Sequence, residues 1–300
     1  MPLQFDRISI IGVGLIGGSF GMAVKKRGLV RRVTGIGRNR ERLEQAVRLG
    51  AIDDWSLDLQ TGVAESDLLY VSTPVGTEVG FIEHASDVMK PGSIITDAGS
   101  TKAAICAAAD ELAGSEVSFI GGHPMAGSEI AGVEAADADL FEGAAYVLTP
   151  TDRTDGDALN GIHTLAESIG SRVMIMDPAT HDRCVAVISH LPHLMAAALV
   201  NLAQERSKKD NLLFDMIAGS FRDMTRVAGS SPELWRDICL SNESEIALAI
   251  RDFFSELGRI AKILESGDER ETFKWFETAR NVRESILIKA APGVDQRNYD

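Results

Sequence analysis

The chain has 300 residues, 45% hydrophobic and 25% charged, with a formal net charge of −14. That length accommodates two domains, and the composition is that of a folded globular protein rather than a disordered or repetitive one. The acidic balance excludes a partner gripped through nucleic-acid phosphates, and it makes every inward-facing arginine a candidate for an anionic ligand.

Cys106, Cys184 and Cys239 are scattered, with no C-x-x-C pair. The pattern predicts reduced thiols, no disulfide framework and no metal. The N-terminus lacks a basic stretch followed by an apolar run and a small-residue cleavage site. The longest apolar candidate, Leu191 to Leu202, is interrupted by Pro192, His193 and Asn201. No window of the ~18 apolar residues that a span requires is expected, so the reading is a cytoplasmic protein with no membrane partner.

In chain order, RISIIGVG (7–14) reads as a buried strand closed by glycines, and Leu15 to Arg27 as a helix stopped at Gly28. RRVTGIG (31–37) is a second strand, and residues 39–50 form a helix with Asn39 as N-cap and Gly50 beyond its end. DLLYVSTP (67–74) is a strand cut by Pro74, and Val75 to Met89 is helical. Strands follow within 91–100, 116–122, 144–150 and 171–177, with helices over 101–112 and 157–169. Alternation of this kind implies right-handed crossovers and a mainly parallel sheet. After Asp177 the pattern is helical throughout, over about 178–206, 211–228, 232–265 and 269–288. The predicted fold class is therefore α/β: an N-terminal Rossmann-type domain over residues 1–177, then an all-helical domain over 178–300. A long apolar helical half of this kind predicts a homodimer.

Gly12-Val13-Gly14-Leu15-Ile16-Gly17 fits G-x-G-x-x-G, follows a strand and opens a helix. In that context Gly12 permits the tight turn, Gly14 lets the backbone approach a pyrophosphate, and Gly17 lets helix and strand pack closely. An NAD site usually has an acid at the end of the second strand. Here Gly37 stands at that position and Arg38 follows. Arg38 is either a partner for a 2′-phosphate or a solvated surface charge, which leaves NAD or NADP open and leans toward NADP tolerance.

Ligands of open α/β sheets bind beyond the carboxyl ends of the strands. Three further stretches converge there: Ser72-Thr73-Pro74-Val75, then Asp97 to Lys102, then GGHPMAGSE (121–129). Ser100 either caps the following helix or faces a ligand. Lys102 is unfavourable in a first helical turn unless an anion lies beside it. His123 carries the side chain best suited to exchanging protons near neutral pH, and the glycines around it are read as room for a ligand.

Together IGVGLIGGS, VSTPVG, DAGSTK, GGHPMAGSE, SHLPH and FRDMTR, with the spacing between them, resemble the prephenate/arogenate dehydrogenase family of tyrosine biosynthesis. The resemblance spans most of the chain. It implies NAD(P)-dependent oxidative decarboxylation of prephenate, with arogenate or dual specificity as the alternative. It further implies His123 taking the proton of the 4-hydroxyl and Ser100 orienting that histidine. It assigns Arg226 to a substrate carboxylate, sets His193, Ser128 and Glu129 at the substrate, and puts Trp235 near the site at a dimer interface. A packing tryptophan remains the alternative for Trp235, and a surface or intrahelical pairing for Arg222. His181 is read as structural or as acting behind the site. Pro192 is expected to bend its helix. No fused mutase or regulatory domain is expected. More remote readings are a β-hydroxyacid-type dehydrogenase and a non-catalytic NAD(P)-binding sensor.

Overall fold

The structure is a computed structural model and describes residues 5–111, 116–127, 130 and 132–290. The first part of the chain alternates β1 (Phe5–Ile11), α1 (Leu15–Lys26), β2 (Val30–Ile36), α2 (Arg40–Arg48), β3 (Asp54–Ser56) and α3 (Leu59–Val63). It continues with β4 (Leu68–Val71), α4 (Val75–Ser86), β5 (Ile94–Asp97), α5 (Ala103–Glu111), β6 (Ser118–Pro124), β7 (Ala145–Thr149), α6 (Gly156–Ser168) and β8 (Arg172–Ile175). One sheet orders them β3-β2-β1-β4-β5-β6-β7-β8. Every neighbouring pair is parallel except β6 and β7. The expected α/β architecture with a mainly parallel sheet is present. β3 and α3 were not anticipated, because elements this short carry no readable periodicity; α3 depends on Asp58, whose carboxylate accepts the Thr61 N–H.

The four residues of β4 are all buried, and they alternate between two cores. Leu68 and Tyr70 join Phe20, Leu43 and Ile162 from α1, α2 and α6. Leu69 and Val71 join Val63, Ile82 and Ile105 from α3, α4 and α5. A strand covered on both faces reads as a continuous apolar run, as LLYV does. The chain order reverses between β1 and β4, and the crevice at that switch point opens beyond their carboxyl ends.

The helical part departs from the expected four long helices. The first run divides into α7 (Pro178–Val185), a π-helical turn over Ala186–His190, and α8 (Leu191–Ser207). The Leu191 N–H reaches back five residues to the Ala186 carbonyl. Pro192, expected to bend an α-helix, instead sits in the first turn after this wider one. The helix expected over 211–228 is reduced to α9 (Gly219–Thr225) between two 3-10 turns, because Ile217 and Ala218 are extended. The next divides into α10 (Pro232–Ser241) and α11 (Glu243–Ser266) at Asn242, which leaves helical dihedrals. α12 (Glu269–Ala290) follows, as expected.

By compactness, residues up to Ile246 form one unit and residues from Ala247 another. Within the second, Trp275 Nε1–H donates to Glu256 at 2.8 Å. Contrary to the sequence expectation, the helical run Pro178–Ser207 contains an 18-residue window apolar enough to cross a membrane by length and composition, with a mean hydropathy of 1.6. Counting Pro192, His193 and Asn201 as interruptions underestimated it. The run also carries His181 and Asp182, both buried in the first unit.

Gly121 and Gly122 were read as room for a ligand. They are instead buried, and the space of a side chain at each is already filled by protein: Thr149 and Cys106 Sγ at Gly121, the Asp97 carbonyl and Thr96 at Gly122. A Cβ on Gly122 would lie 2.7 Å from that carbonyl oxygen. Gly122→Ala should therefore cost about 1–3 kcal/mol of stability, the usual penalty of overpacking, measured as a lowered midpoint in urea.

Candidate active site at the carboxyl edge of the sheet

The glycine loop is tied to β4. Ser72 Oγ–H lies 2.8 Å from the Gly12 carbonyl and 3.1 Å from that of Ile11. Gly12 has φ +87°, and a Cβ there would lie 2.5 Å from the Ser72 carbonyl oxygen. At Gly17 a Cβ would strike Ser72 Oγ and the Gly12 carbonyl. These two glycines are required by the protein's own packing. Gly14 differs: it stands at the N-cap of α1 without a side-chain cap bond, and no atom lies within 4 Å of the place a Cβ would take. The first turn of α1 has no acid. Open space over the first-turn N–H groups and positive dipole end of a helix fits a dinucleotide pyrophosphate. Thr73, Pro74 and Val75 enter α4 at the adjacent strand end, and Arg38 is exposed beyond β2.

Under this edge lies a buried charge cluster. Lys102 pairs with Asp97, both fully buried, and Glu78 of α4 lies beside them. The Asp97 carboxylate also accepts the N–H groups of Gly99 and Gly122 at 2.8 and 2.9 Å. The anion that Lys102 required is thus the protein's own. Burial would push the ammonium down, but the Asp97 and Glu78 carboxylates outweigh it and hold Lys102 above its ordinary value. Burial, then Asp97, push the Glu78 carboxyl well up.

The capping role open to Ser100 is filled from elsewhere. Asp182 of α7 accepts the Lys102 and Ala103 N–H groups at 2.7 and 2.9 Å. Asp182 also lies 2.7 Å from His181 Nδ1, and His181 Nε2 lies 2.8 Å from His123 Nδ1. The partner that the described residues give to His123 Nδ1 is therefore His181. His123 itself is the penultimate residue of β6, opposite Val147 in the antiparallel pair. Burial holds it well below the usual histidine range, and His181, Lys102 and His190 add to the shift.

His190 is buried, with Nε2 unpartnered among the described residues and Nδ1 3.3 Å from the Asn242 amide. Burial foremost pushes it down to about 4, His181 and His193 add to this, and Asp182 opposes it. His193 stacks on Trp235 with centroids 3.8 Å apart and an interplanar angle of 24°. Burial lowers its pKa, the Ser189 carbonyl opposes this, and Arg226 lowers it further, so the guanidinium lies within electrostatic reach. Arg226 opens the 3-10 turn after α9 rather than continuing a helix with Arg222. Ser128 and Glu129 lie outside the described residues.

Family models of prephenate dehydrogenase match most of the chain, the nucleotide-binding domain over residues 20–175 and the dimerization domain over 177–278. The chain belongs to the prephenate dehydrogenase family. It is 38% identical to a prephenate dehydrogenase of Bacillus subtilis over 95% of this chain and 77% of that protein. It is 35% identical to one of Lactococcus lactis over 94% and 78%. The crystal structure of prephenate dehydrogenase from A. aeolicus in complex with hydroxyphenyl propionate and NAD+ superposes with a TM-score of 0.90 at 32% identity, covering 95% of this chain and 100% of that one.

Sequence reasoning assigned nothing to Asp182, Asn242 or Glu78, and treated Asp97 only as part of a stretch. Acids and amides on helices carry no local signal of burial, and their partners lie far along the chain.

The histidine shifts have a consequence for stability. Unfolded, His190 titrates near 6.5; in the fold it titrates at about 4. In between, the unfolded chain binds more protons, so this stabilisation is fully present above the unfolded value and is lost as pH falls toward the folded one. His123 acts with the same sign. His190→Gln should flatten the fall in Tm on acidification from about pH 7 to 4.5.

Proposed function

We propose that the chain catalyses NAD-dependent oxidative decarboxylation of prephenate to 4-hydroxyphenylpyruvate, with His123 as the base. The observation that carries this reading is a half-buried imidazole, its pKa lowered foremost by burial, at the carboxyl edge of a dinucleotide-type sheet. The bound nicotinamide supplies the hydride acceptor. His123 takes the proton of the 4-hydroxyl while the C4 hydride departs. The C–C bond to the ring carboxylate then breaks, CO2 leaves, and the electron pair aromatises the ring. His123 returns the proton to the phenolate oxygen. A base must be deprotonated before it can accept, and the lowered pKa of His123 meets that condition at neutral pH.

Gly12, Gly14, Leu15, Ile16 and Gly17, with Thr73, Pro74 and Val75, hold the cofactor. Arg226 pairs with a substrate carboxylate, where a planar fork suits the task. His193 and Trp235 form one wall, and Ser100, Ser128 and Glu129 border the substrate. Arg38, which has no acid at position 37 beside it, extends cofactor use to NADP. Residues 1–177 serve the cofactor and 178–300 the substrate and the dimer. Phe254, Phe273, Phe276 and Ile286 are exposed in the second unit, apolar area for a second copy to cover. A cytoplasmic location accompanies this reading. An amino group in place of the keto group, as in arogenate, is the competing substrate.

Steady-state kinetics with prephenate and arogenate, each crossed with NAD and NADP, test the proposal directly; absence of turnover in all four would overturn it. His123→Asn should lower kcat by roughly 100- to 10,000-fold, the contribution of a positioned acid–base group. Arg226→Ala should raise KM for prephenate by about 10- to 100-fold, the worth of a charged hydrogen bond, with Arg226→Lys in between. Arg38→Ala should raise KM for NADP while leaving that for NAD.

A further inference from the structure

We propose that His181 and Asp182 form a relay that fixes the tautomer of His123, making His181 a positioning residue for the reaction. This deepens the reading of His123 as the base and rests on it.

The argument follows the hydrogens. A carboxylate only accepts hydrogen bonds. Asp182 accepts two from the backbone at the start of α5, through Lys102 and Ala103. These two bonds fix its plane, and Asp182 is 2% exposed, so the carboxylate has no water-facing alternative. Its third partner is His181 Nδ1 at 2.7 Å, which must therefore carry the hydrogen. In a neutral imidazole the other nitrogen is then a bare acceptor. His181 Nε2 is that nitrogen, and it lies 2.8 Å from His123 Nδ1. His123 Nδ1 is left as the donor, which leaves the lone pair of His123 on Nε2, the nitrogen that no partner within the relay occupies.

The opposite arrangement has a distinct consequence. A doubly protonated His181 would donate to both neighbours. His123 would then accept at Nδ1 and carry its hydrogen on Nε2, the form that cannot take a proton from a hydroxyl there. The relay therefore specifies one of two tautomers. Among the described residues, the other charged or titratable groups that act on His123 are Lys102 at the start of α5 and His190 from the π-helical turn. Both act on the charge of His123, but neither contacts its Nδ1. Asp182 is a poor position for the test because it also caps α5; His181 makes no backbone bond through its ring.

The experiment compares the full-length protein with His181→Leu, His181→Gln and His123→Asn. Gln carries an acceptor close to the place of Nε2, whereas Leu fills the space without one. With prephenate and NAD, His181→Leu should lose kcat by about 10- to 100-fold, the usual loss when the partner behind a working histidine is removed. Its KM values should change by less than about threefold, and His181→Gln should recover at least about a third of the lost activity on a logarithmic scale. Nitrogen-15 NMR of histidine-labelled wild-type protein should show His123 with hydrogen on Nδ1 and a bare Nε2, and this preference should be lost in His181→Leu. Four results would each overturn the relay: His181→Leu within about twofold of wild-type kcat; Gln no better than Leu; a loss confined to KM; or wild-type His123 carrying its hydrogen on Nε2. Should His181→Leu not fold, the Gln variant and the wild-type tautomer still decide. Full turnover in His123→Asn would instead sink the assignment of the base, leaving the NMR result on the tautomer standing by itself.

Discussion

The Asp182 carboxylate is the joint on which the rest of the site depends. It belongs to the first helix after the sheet, yet it closes the N-terminus of a helix eighty positions earlier in the chain. An isolated buried carboxylate is costly to keep charged. Here two backbone N–H groups at the positive end of α5 and one imidazole N–H offset that cost. One side chain thereby sets the position of α7 against α5 and the orientation of His181 against His123. Packing, capping and site geometry are consequences of the same three bonds.

A second buried cluster supports the same edge from below. Asp97 ends β5 and ties down two glycine N–H groups, one of them adjacent to His123. Lys102 pairs with it, and burial, then Asp97, push the neighbouring Glu78 carboxyl well up. A buried pair of this kind adds little stability relative to apolar packing, and losing one partner is expensive. Its value is geometric: it fixes where β5, β6 and α5 end, and those ends are where the histidine and Ser100 stand.

Much of this was legible in the sequence because the signals are local. The glycine loop is recognisable from the strand before it and the helix after it. The two-sided burial of β4 is visible in LLYV, and His123 is marked by its place after an apolar run. What could not be read is non-local. Gly121 and Gly122 look like space for a ligand, but whether a missing side chain faces a ligand or a neighbouring strand depends on a partner such as Thr149, far away in the chain. Capping was one of two roles open to Ser100 because caps are normally local; a cap arriving from α7 leaves no trace near residue 100. The helical half was overread for a related reason. Apolar spacing marks helical stretches, but Asn242 and the extended pair before Gly219 break them; Asn242 has no glycine or proline beside it, and a single glycine after Ala218 is a weak signal inside a helical pattern.

The π-helical turn shows why such a break matters. His181 and His190 are nine positions apart. At about 100° per residue a regular α-helix would turn them by roughly 900°, which leaves them on opposite faces. A single π-turn absorbs one extra residue without advancing the helix, so the net rotation falls to roughly 800° and the two rings come to about 80° of each other. Asp182 and His190 come closer still. The electrostatic coupling of His190 to both Asp182 and His181 agrees with that rotation, as does the Asn242 amide, which reaches the Asp182 carbonyl and His190 Nδ1 together. The extra residue in Ala186–His190 is therefore what lets one helical run present His181, His190 and His193 to one side. Pro192, placed just after the turn, removes the N–H that a tightening back to regular α-geometry would need at that point.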